Sequence, residues 1–328
     1  MLYDNHGRPL NYLRLAVTDR CNLRCFYCMP EEGMHYLPKH ALLSFEEITR
    51  LVTAMTEMGI SKVRITGGEP FVRNDLMQLL HSLTSINGLH ELHLTTNGVL
   101  TAPFIPELKA MGIASVNLSL DTLDPVRFRA ITRRDEFDRT LRTFDALLAH
   151  DIPLKINAVV MEEKNIDDII PLAELTRGHP ISVRFIEEMP FNGSGTRPDL
   201  FWNYRRILAH LGERYPNLEK VADPDHATAA HYRVPGYAGT IGIIASFSRT
   251  FCGTCNRIRV TAQGMLKTCL YDDGVLDVRA LLRSKATDAA LKAALMTAFR
   301  NRSRTGFEAE QRRQEDHPVR ESMSTIGG

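Results

Sequence analysis

No stretch of the sequence approaches the roughly 20 consecutive apolar residues that a membrane-spanning helix requires. The opening residues, MLYDNHGRPLNYL, lack the apolar centre of a secretion signal. A cytoplasmic protein with no membrane partner is therefore expected. Net charge is nearly absent too: 40 Lys and Arg against 39 Asp and Glu leave a formal +1. Such a balance argues against nucleic acid or an anionic membrane surface as partner, since both favour a basic excess. There is no low-complexity tract and no repeat beyond an alternation of strand-like and helix-like segments. Cysteine is scarce, with six in 328 residues, and none of the six stands alone. They form two triplets, Cys21-x3-Cys25-x2-Cys28 and Cys252-x2-Cys255-x13-Cys269. In a reducing compartment, cysteines this close read as metal or redox centres rather than disulfides. Each triplet offers three thiolates to a centre that takes four ligands, leaving one position open for a small molecule.

What is present is an ordinary globular composition, 44% hydrophobic and 24% charged, in a chain long enough for one large domain or two smaller ones. Six apolar-rich runs read as strands, at about 12–18, 62–66, 90–96, 114–120, 153–160 and 181–187. Helical patterns separate them, among them Ser44–Met58, Asn74–Ile86, Phe137–His150 and Asp167–Thr176, and Ser44 with Glu47 resembles a capping box. This βα alternation implies an α/β fold built on a parallel sheet or barrel. The rhythm breaks near 190–240. A helix follows at about Leu200–Tyr215, then short strand-like pieces, then helical patterns near 276–284 and 286–300. The polar stretch 301–328 reads as a flexible tail.

Buried parallel strands usually form continuous apolar runs, but these alternate. One face carries Leu13, Leu15, Val63, Ile65, Leu92, Leu94, Val116, Leu118, Leu154, Ile156, Val183 and Phe185. The other carries Arg14, Arg64, Thr95, Asn117, Ser119, Lys155, Asn157 and Arg184. The apolar face suits helices. The polar face must look into a cavity, because buried unpaired charges are costly. A cationic lumen in a near-neutral chain points to an anionic, phosphorylated ligand. The alternative is that these cations pair with acids or sit at exposed strand ends.

The first triplet follows the first strand directly and has an aromatic, Tyr27, before its third cysteine. This spacing resembles the signature of the radical S-adenosylmethionine (SAM) superfamily, in which a 4Fe–4S cluster on three cysteines presents its free iron to SAM. A zinc loop completed by His35 or His40 is the alternative, but the 3-2 spacing is unusual for zinc. Thr66-Gly67-Gly68-Glu69-Pro70 looks like the superfamily's GGE motif, where the backbone meets the SAM amino group. Thr95–Gly98 and Ser119–Asp121 close two further strands at the end where barrel active sites lie. In the second triplet Arg257 and Arg259 share one face of a strand and could hold a phosphorylated ligand beside an open cluster. A zinc knuckle would need a histidine there, and the nearest downstream is His317.

Together Cys21–Pro30, Arg64–Pro70, Thr95–Gly98, Leu118–Asp135, Phe251–Leu270 and the terminal Met323–Gly328 resemble the GTP 3′,8-cyclase family of molybdenum cofactor biosynthesis, over nearly the whole chain. The resemblance implies an incomplete parallel (β/α)6-type radical SAM barrel over 1–230. It also implies a C-terminal region, 231–328, with a second 4Fe–4S cluster and a flexible Gly-Gly tail that reaches the active site. Cys21, Cys25 and Cys28 would hold the SAM cluster, and Cys252, Cys255 and Cys269 the second. Tyr27, Gly68, Ser119 and Met189 would contact SAM. Arg14, Arg64, Thr95, Lys155, Arg257, Ile258 (through its backbone) and Arg259 would contact GTP. Arg257, Arg259, Gly327 and Gly328 would serve catalysis. Implied partners are GTP, an electron donor and a downstream cyclic pyranopterin monophosphate synthase, and the oligomeric state stays open, a homodimer among the options. Arg73-Asn74-Asp75 departs from the usual Arg-Arg-Asp, and the segment from Phe191 to about 240 matches poorly. A two-cluster radical SAM enzyme acting on a peptide is the nearest alternative. A zinc- or RNA-binding protein is a more distant one.

Overall fold

The computed structural model describes residues 2–31, 33–193, 200–313 and 321–327. Among the described residues twelve strands form one sheet. They are β1 (Tyr12–Ala16), β2 (Lys62–Thr66), β3 (Glu91–Thr96), β4 (Ser115–Ser119), β5 (Leu154–Val160), β6 (Ser182–Glu187), β7 (Glu219–Lys220), β8 (Ala229–Arg233), β9 (Thr240–Ile244), β10 (Arg257–Val260), β11 (Met265–Lys267) and β12 (Leu276–Asp277). Their order is β12-β11-β10-β1-β2-β3-β4-β5-β6-β9-β8-β7. From β10 through β9 every neighbour is parallel, and antiparallel pairs finish both ends. All six strands read from the sequence are there, within about two residues at their ends. Two additions come from the C-terminal half. β10 joins β1 and β9 joins β6, so residues beyond 240 extend the same sheet on both sides. β8 itself runs across residue 230.

The apolar strand face is buried as the alternation requires: Leu13, Leu15, Val63, Ile65, Leu94, Val116, Leu118, Ile156, Val183 and Phe185 are wholly inaccessible. They pack against helices whose own apolar stripes close the core, for example Leu51, Val52 and Met55 of Phe45–Met58 and Leu79, Leu80 and Leu83 of Leu76–Thr84. The capping box is present. Ser44 Oγ accepts from Glu47 N at 3.2 Å, and Glu47 Oε2 accepts from Ser44 N at 2.8 Å. The helix after the break is Tyr204–Arg214, started by Asn203, whose side chain accepts from Arg205 N and Arg206 N.

The described part of the C-terminal stretch departs from the flexible tail expected from its composition. It holds the helices Gly306–Gln311 and Met323–Ile326, and Arg302, Ser303, Ala309, Ser322, Ser324 and Ile326 are buried. A small apolar cluster, in which Ala309 and Ile326 pack with Phe191 and Tyr271, and buried ion pairs hold it. The fully buried Lys267 binds Glu321 at 2.7 Å, and Arg313 pairs with Glu321 and Asp273. Gly328 lies outside the described residues.

Candidate active site

The polar strand face is laid out by register. Arg259, Arg14 and Arg64 stand directly beside one another on β10, β1 and β2. One step toward the amino ends, Arg257, Tyr12 and Lys62 form a second row. Thr95, Asn117 and Lys155 form a third across β3, β4 and β5, and Ser119, Asn157 and Arg184 a fourth across β4, β5 and β6. Like charges directly opposite repel, so rows of this kind call for a counter-charge. Glu91 supplies it for Lys62 alone, at 2.8 Å; Arg14 Nε, Arg184 Nε and Arg257 Nε are buried with no hydrogen-bond partner, as is Thr95 Oγ1. Burial and Arg259 hold the Arg14 guanidinium well below its ordinary range. Burial and Arg257 bring Arg259 down to about 10, burial and Arg64 bring Arg184 to about 10, and burial and Arg184 bring Lys155 to about 8. The pairing of these cations with acids, the alternative left open by the sequence, holds for Lys62 and, among the described residues, not for Arg14, Arg64, Lys155 or Arg184.

These groups line one cavity of about 440 Å³, and so do all six cysteines together with Tyr27, Gly68, Ser119 and Met189. Two expected site residues do not line it. Ile258 is wholly buried on the opposite strand face, which leaves only its backbone for a ligand. Gly327 touches the site through its carbonyl, which accepts from Arg259 Nη1 at 2.8 Å; a side chain there would collide with Thr66 Oγ1. Arg64 lines the cavity, but its guanidinium already donates to Tyr12 Oη at 2.6 Å and to the Leu94 carbonyl at 2.7 Å.

The first triplet sits on the loop after β1. Cys21 Sγ accepts from Leu23 N at 3.4 Å and from Asn97 Nδ2 at 3.6 Å, and Cys28 Sγ lies 3.8 Å from Ser322 Oγ. Burial pushes all three thiols up, Cys21 to about 12 with Glu69 adding to the effect. The GGEP turn is fitted to this loop. Gly68 N donates to Thr18 O at 2.8 Å, and a side chain at Gly68 would collide with the Arg20 carbonyl. Glu69 is wholly buried and accepts from Asn97 N at 2.7 Å, Thr96 Oγ1 at 2.8 Å and Phe71 N at 3.1 Å, tying the ends of β2 and β3 together. Burial pushes its carboxyl up to about 7 against those donors. Tyr27 Oη donates to Asp121 at 2.8 Å, which fixes the aromatic before Cys28.

The second triplet has a different neighbourhood. Cys255 Sγ accepts from Arg302 Nη2 at 3.1 Å and Arg257 Nη2 at 3.4 Å, and Cys252 Sγ from Gly306 N at 3.4 Å. Burial would push the Cys255 thiol up, but Arg257 and Arg302 bring it down to about 6; burial pushes Cys269 up to about 11. All six thiols are free and half-buried. Among the described residues no three His, Cys, Asp or Glu side chains gather as ligands of a single ion. A cluster binds each thiolate to a different iron and so needs them spaced around a void. Thiols that accept N–H donors and border one open cavity fit that requirement.

Three participants had no sequence signal of their own. Tyr12 lies at the centre of the cations: burial pulls its phenol upward, but Arg64, Arg14 and Arg257 bring it down to about 7. Its position opposite Arg257 and Lys62 follows from strand alternation, which could have singled it out. Arg249 is buried in the cavity wall, over Tyr271 at 3.5 Å, and paired with Glu310 at 2.7 Å. Arg302 sat in the stretch read as tail.

A mostly parallel α/β sheet with a three-thiol loop after its first strand defines a radical SAM protein. Residues 15–176 match the model of the radical SAM superfamily, and residues 181–307 that of Molybdenum Cofactor Synthesis C. A GTP 3′,8-cyclase from Peptoclostridium acidaminophilum is 38% identical over 332 residues, covering 100% of this chain and 98% of its own. The mitochondrial GTP 3′,8-cyclase of Arabidopsis thaliana is 41% identical, covering 92% of this chain and 78% of its own. Human molybdenum cofactor biosynthesis protein 1 is 41% identical over 88% of this chain, which spans only 46% of that relative's length. The chain belongs to the GTP 3′,8-cyclase family of the radical SAM superfamily, which implies SAM and a 4Fe–4S cluster. Among solved structures, Streptococcus suis SuiB bound to S-adenosylmethionine superposes with a TM-score of 0.61 at 15% identity, covering 87% of this chain and 68% of its own, a likeness of fold. Among the described residues no helix is long and apolar enough to cross a membrane.

Proposed function

We propose that this chain is a GTP 3′,8-cyclase, converting GTP to 3′,8-cyclo-7,8-dihydro-GTP for molybdenum cofactor biosynthesis. The observation that carries the reading is one cavity bordered by both thiol triplets and lined also by Arg14, Arg184 and Arg257, whose buried Nε atoms have no hydrogen-bond partner. Cys21, Cys25 and Cys28 would hold a cluster that supplies the electron for SAM cleavage; the net change at GTP would be loss of the ribose C3′ hydrogen to the 5′-deoxyadenosyl group, bonding of C3′ to guanine C8, and one-electron reduction with protonation to the 7,8-dihydro product.

The chain's residues position and shield. Gly68 has its N–H taken by Thr18, so its carbonyl is the group left to accept from the SAM ammonium. Tyr27, Ser119 and Met189 line the same cavity and would hold the rest of SAM. Arg14, Arg257, Arg259 and Lys155 would take the triphosphate, which supplies the missing counter-charge. Arg64 is held by Tyr12 and Leu94 and would orient its neighbours as well as meet the ligand. Thr95 Oγ1, buried and unpartnered, is free for a ligand hydroxyl or phosphate oxygen. Ile258 would contribute its backbone. Cys252, Cys255 and Cys269 would hold a second 4Fe–4S cluster with one position left for a ligand such as the nucleotide. Gly327 and Gly328 would act through the tail that meets Arg259. The sheet serves as an incomplete barrel, with residues 1–230 serving SAM and 231–328 the second cluster and GTP. An external one-electron donor feeds it, and the product passes to a cyclic pyranopterin monophosphate synthase. A closed lumen keeps water and stray hydrogen donors from a primary carbon radical, and fixing C3′ near the SAM 5′ carbon is the main work of the walls.

The test is anaerobic reconstitution followed by incubation with SAM, reductant and GTP deuterated at C3′. Deuterium is expected in 5′-deoxyadenosine. Active SAM cleavage without deuterium transfer would overturn the assignment and favour a peptide substrate.

A further inference from the structure

Arg302 is 2% exposed, yet nothing about the core requires a guanidinium there. All five of its N–H donors are used. Nε donates to the Thr268 carbonyl at 2.9 Å. Nη1 donates to the Cys255 carbonyl at 2.8 Å and to Asp4 Oδ2 at 3.2 Å. Nη2 donates to the Arg257 carbonyl at 2.9 Å and to Cys255 Sγ at 3.1 Å. The same Asp4 oxygen accepts from Arg8 Nε at 2.7 Å, and Arg8 Nη1 donates to the Cys252 carbonyl at 2.9 Å. Two buried arginines thus share one carboxylate, and between them they grip the backbone at or beside all three cysteines. Charge is left over: two cations face one carboxylate, and the excess points at a thiol sulfur. A 4Fe–4S cluster on three thiolates is an anion in both oxidised and reduced states, and more so when reduced.

We infer that Arg302, oriented by Asp4, is a positioning residue that fixes the Cys255 ligand and raises the reduction potential of the cluster on the second triplet. This rests on the reading that the second triplet holds such a cluster. Hydrogen bonds and positive charge at a ligand sulfur stabilise the more negative, reduced form. No guanidinium reaches a sulfur of the first triplet among the described residues, where Leu23 N, Asn97 Nδ2 and Ser322 Oγ are the neighbours. The effect is therefore confined to one cluster. A Lys keeps the charge but has three donors on one atom and cannot span the five acceptors.

The experiment is an anaerobic redox titration followed by electron paramagnetic resonance on the full chain, with and without SAM, after iron and sulfide assay. Two midpoints are expected, one attached to the signal that SAM perturbs. In Arg302→Gln the other midpoint moves to more negative potential while the SAM-responsive one stays. Arg302→Lys moves it less, in the same direction. Both midpoints unmoved in an Arg302→Gln protein that carries iron for two clusters would overturn the inference alone. Iron for only one cluster in the unsubstituted chain would overturn the second-cluster reading and this inference with it. Should Arg302→Gln fail to fold, as judged by circular dichroism, Arg302→Lys decides: a midpoint equal to that of the unsubstituted chain overturns the inference, and a negative shift supports it.

Discussion

The two triplets border the same cavity, but their sulfurs have opposite surroundings. Around Cys21, Cys25 and Cys28 the nearby charges are the Glu69 and Asp121 carboxylates and one guanidinium, Arg24, which donates to the Cys21 carbonyl and not to a sulfur; the donors to sulfur are a backbone N–H, an amide and a hydroxyl. Around Cys255 two guanidiniums converge. A cluster in the first setting is electrostatically disfavoured in its reduced form, which suits a centre that must give its electron away. A cluster in the second is held in a field that favours negative charge, which suits a centre placed beside an anionic nucleotide. Thiol count alone makes the triplets equivalent. Their neighbours assign them different work.

The comparison breaks most visibly at the thiols themselves. Cys25→Ala should drop SAM cleavage to background, measured as 5′-deoxyadenosine released under reducing conditions. Cys255→Ala should keep SAM cleavage within about tenfold, the smaller end of what a change outside a metal's own ligands costs, and should abolish GTP conversion. Equal loss in both would erase the division of labour.

Next in size are the cations. Arg257→Ala and Arg259→Ala should each weaken GTP binding roughly ten- to a hundredfold, the loss of about 1.5–3 kcal/mol for a hydrogen bond to a charged group. SAM cleavage should be largely intact in both, as read by equilibrium binding and a cleavage assay on the same sample. At the other end Gly68→Ala should act in reverse. Its methyl collides with the Arg20 carbonyl, so the loop must shift at a cost of about 1–3 kcal/mol. Thermal unfolding and SAM binding should both suffer while GTP binding does not.

The smallest effect is a titration. With no anion bound, Tyr12 should show as a phenolate titrating near 7 in ultraviolet absorption, absent from Tyr12→Phe. Its folded-state pKa lies below the ordinary value of 10.0. Its contribution to stability is therefore complete above about 10, shrinks as pH falls through that window and is lost below about 7. GTP or inorganic triphosphate bound as proposed would neutralise the surrounding arginines and should move the transition upward.

Much of the fold and half of the site could be read along the chain because strand alternation is local. Arg14, Arg64, Thr95, Ser119, Lys155 and Arg184 announce themselves by facing away from Leu and Val neighbours. Which strands meet is not local. Nothing near Arg257 or Arg259 says that β10 lies beside β1, so the row Arg259–Arg14–Arg64 appears only in the folded chain. The tail misleads for a related reason. Composition counts apolar residues, whereas this segment needs only a few, Ala309 and Ile326 among them, and is held also by Lys267–Glu321, by Arg313 and by Ser322 Oγ donating to the Cys28 carbonyl at 2.6 Å. Arg302 was hidden in the same way, because its five acceptors come from segments far apart in sequence. Gly327 was legible only through family resemblance, and its carbonyl now stands on Arg259.

The most direct test of the division between the triplets is electron paramagnetic resonance of the reconstituted, reduced chain with each ligand added separately. SAM is expected to change only the signal that disappears in a Cys21→Ala/Cys25→Ala/Cys28→Ala chain. GTP is expected to change only the signal that disappears in a Cys252→Ala/Cys255→Ala/Cys269→Ala chain. Both ligands perturbing one and the same signal would contradict the account.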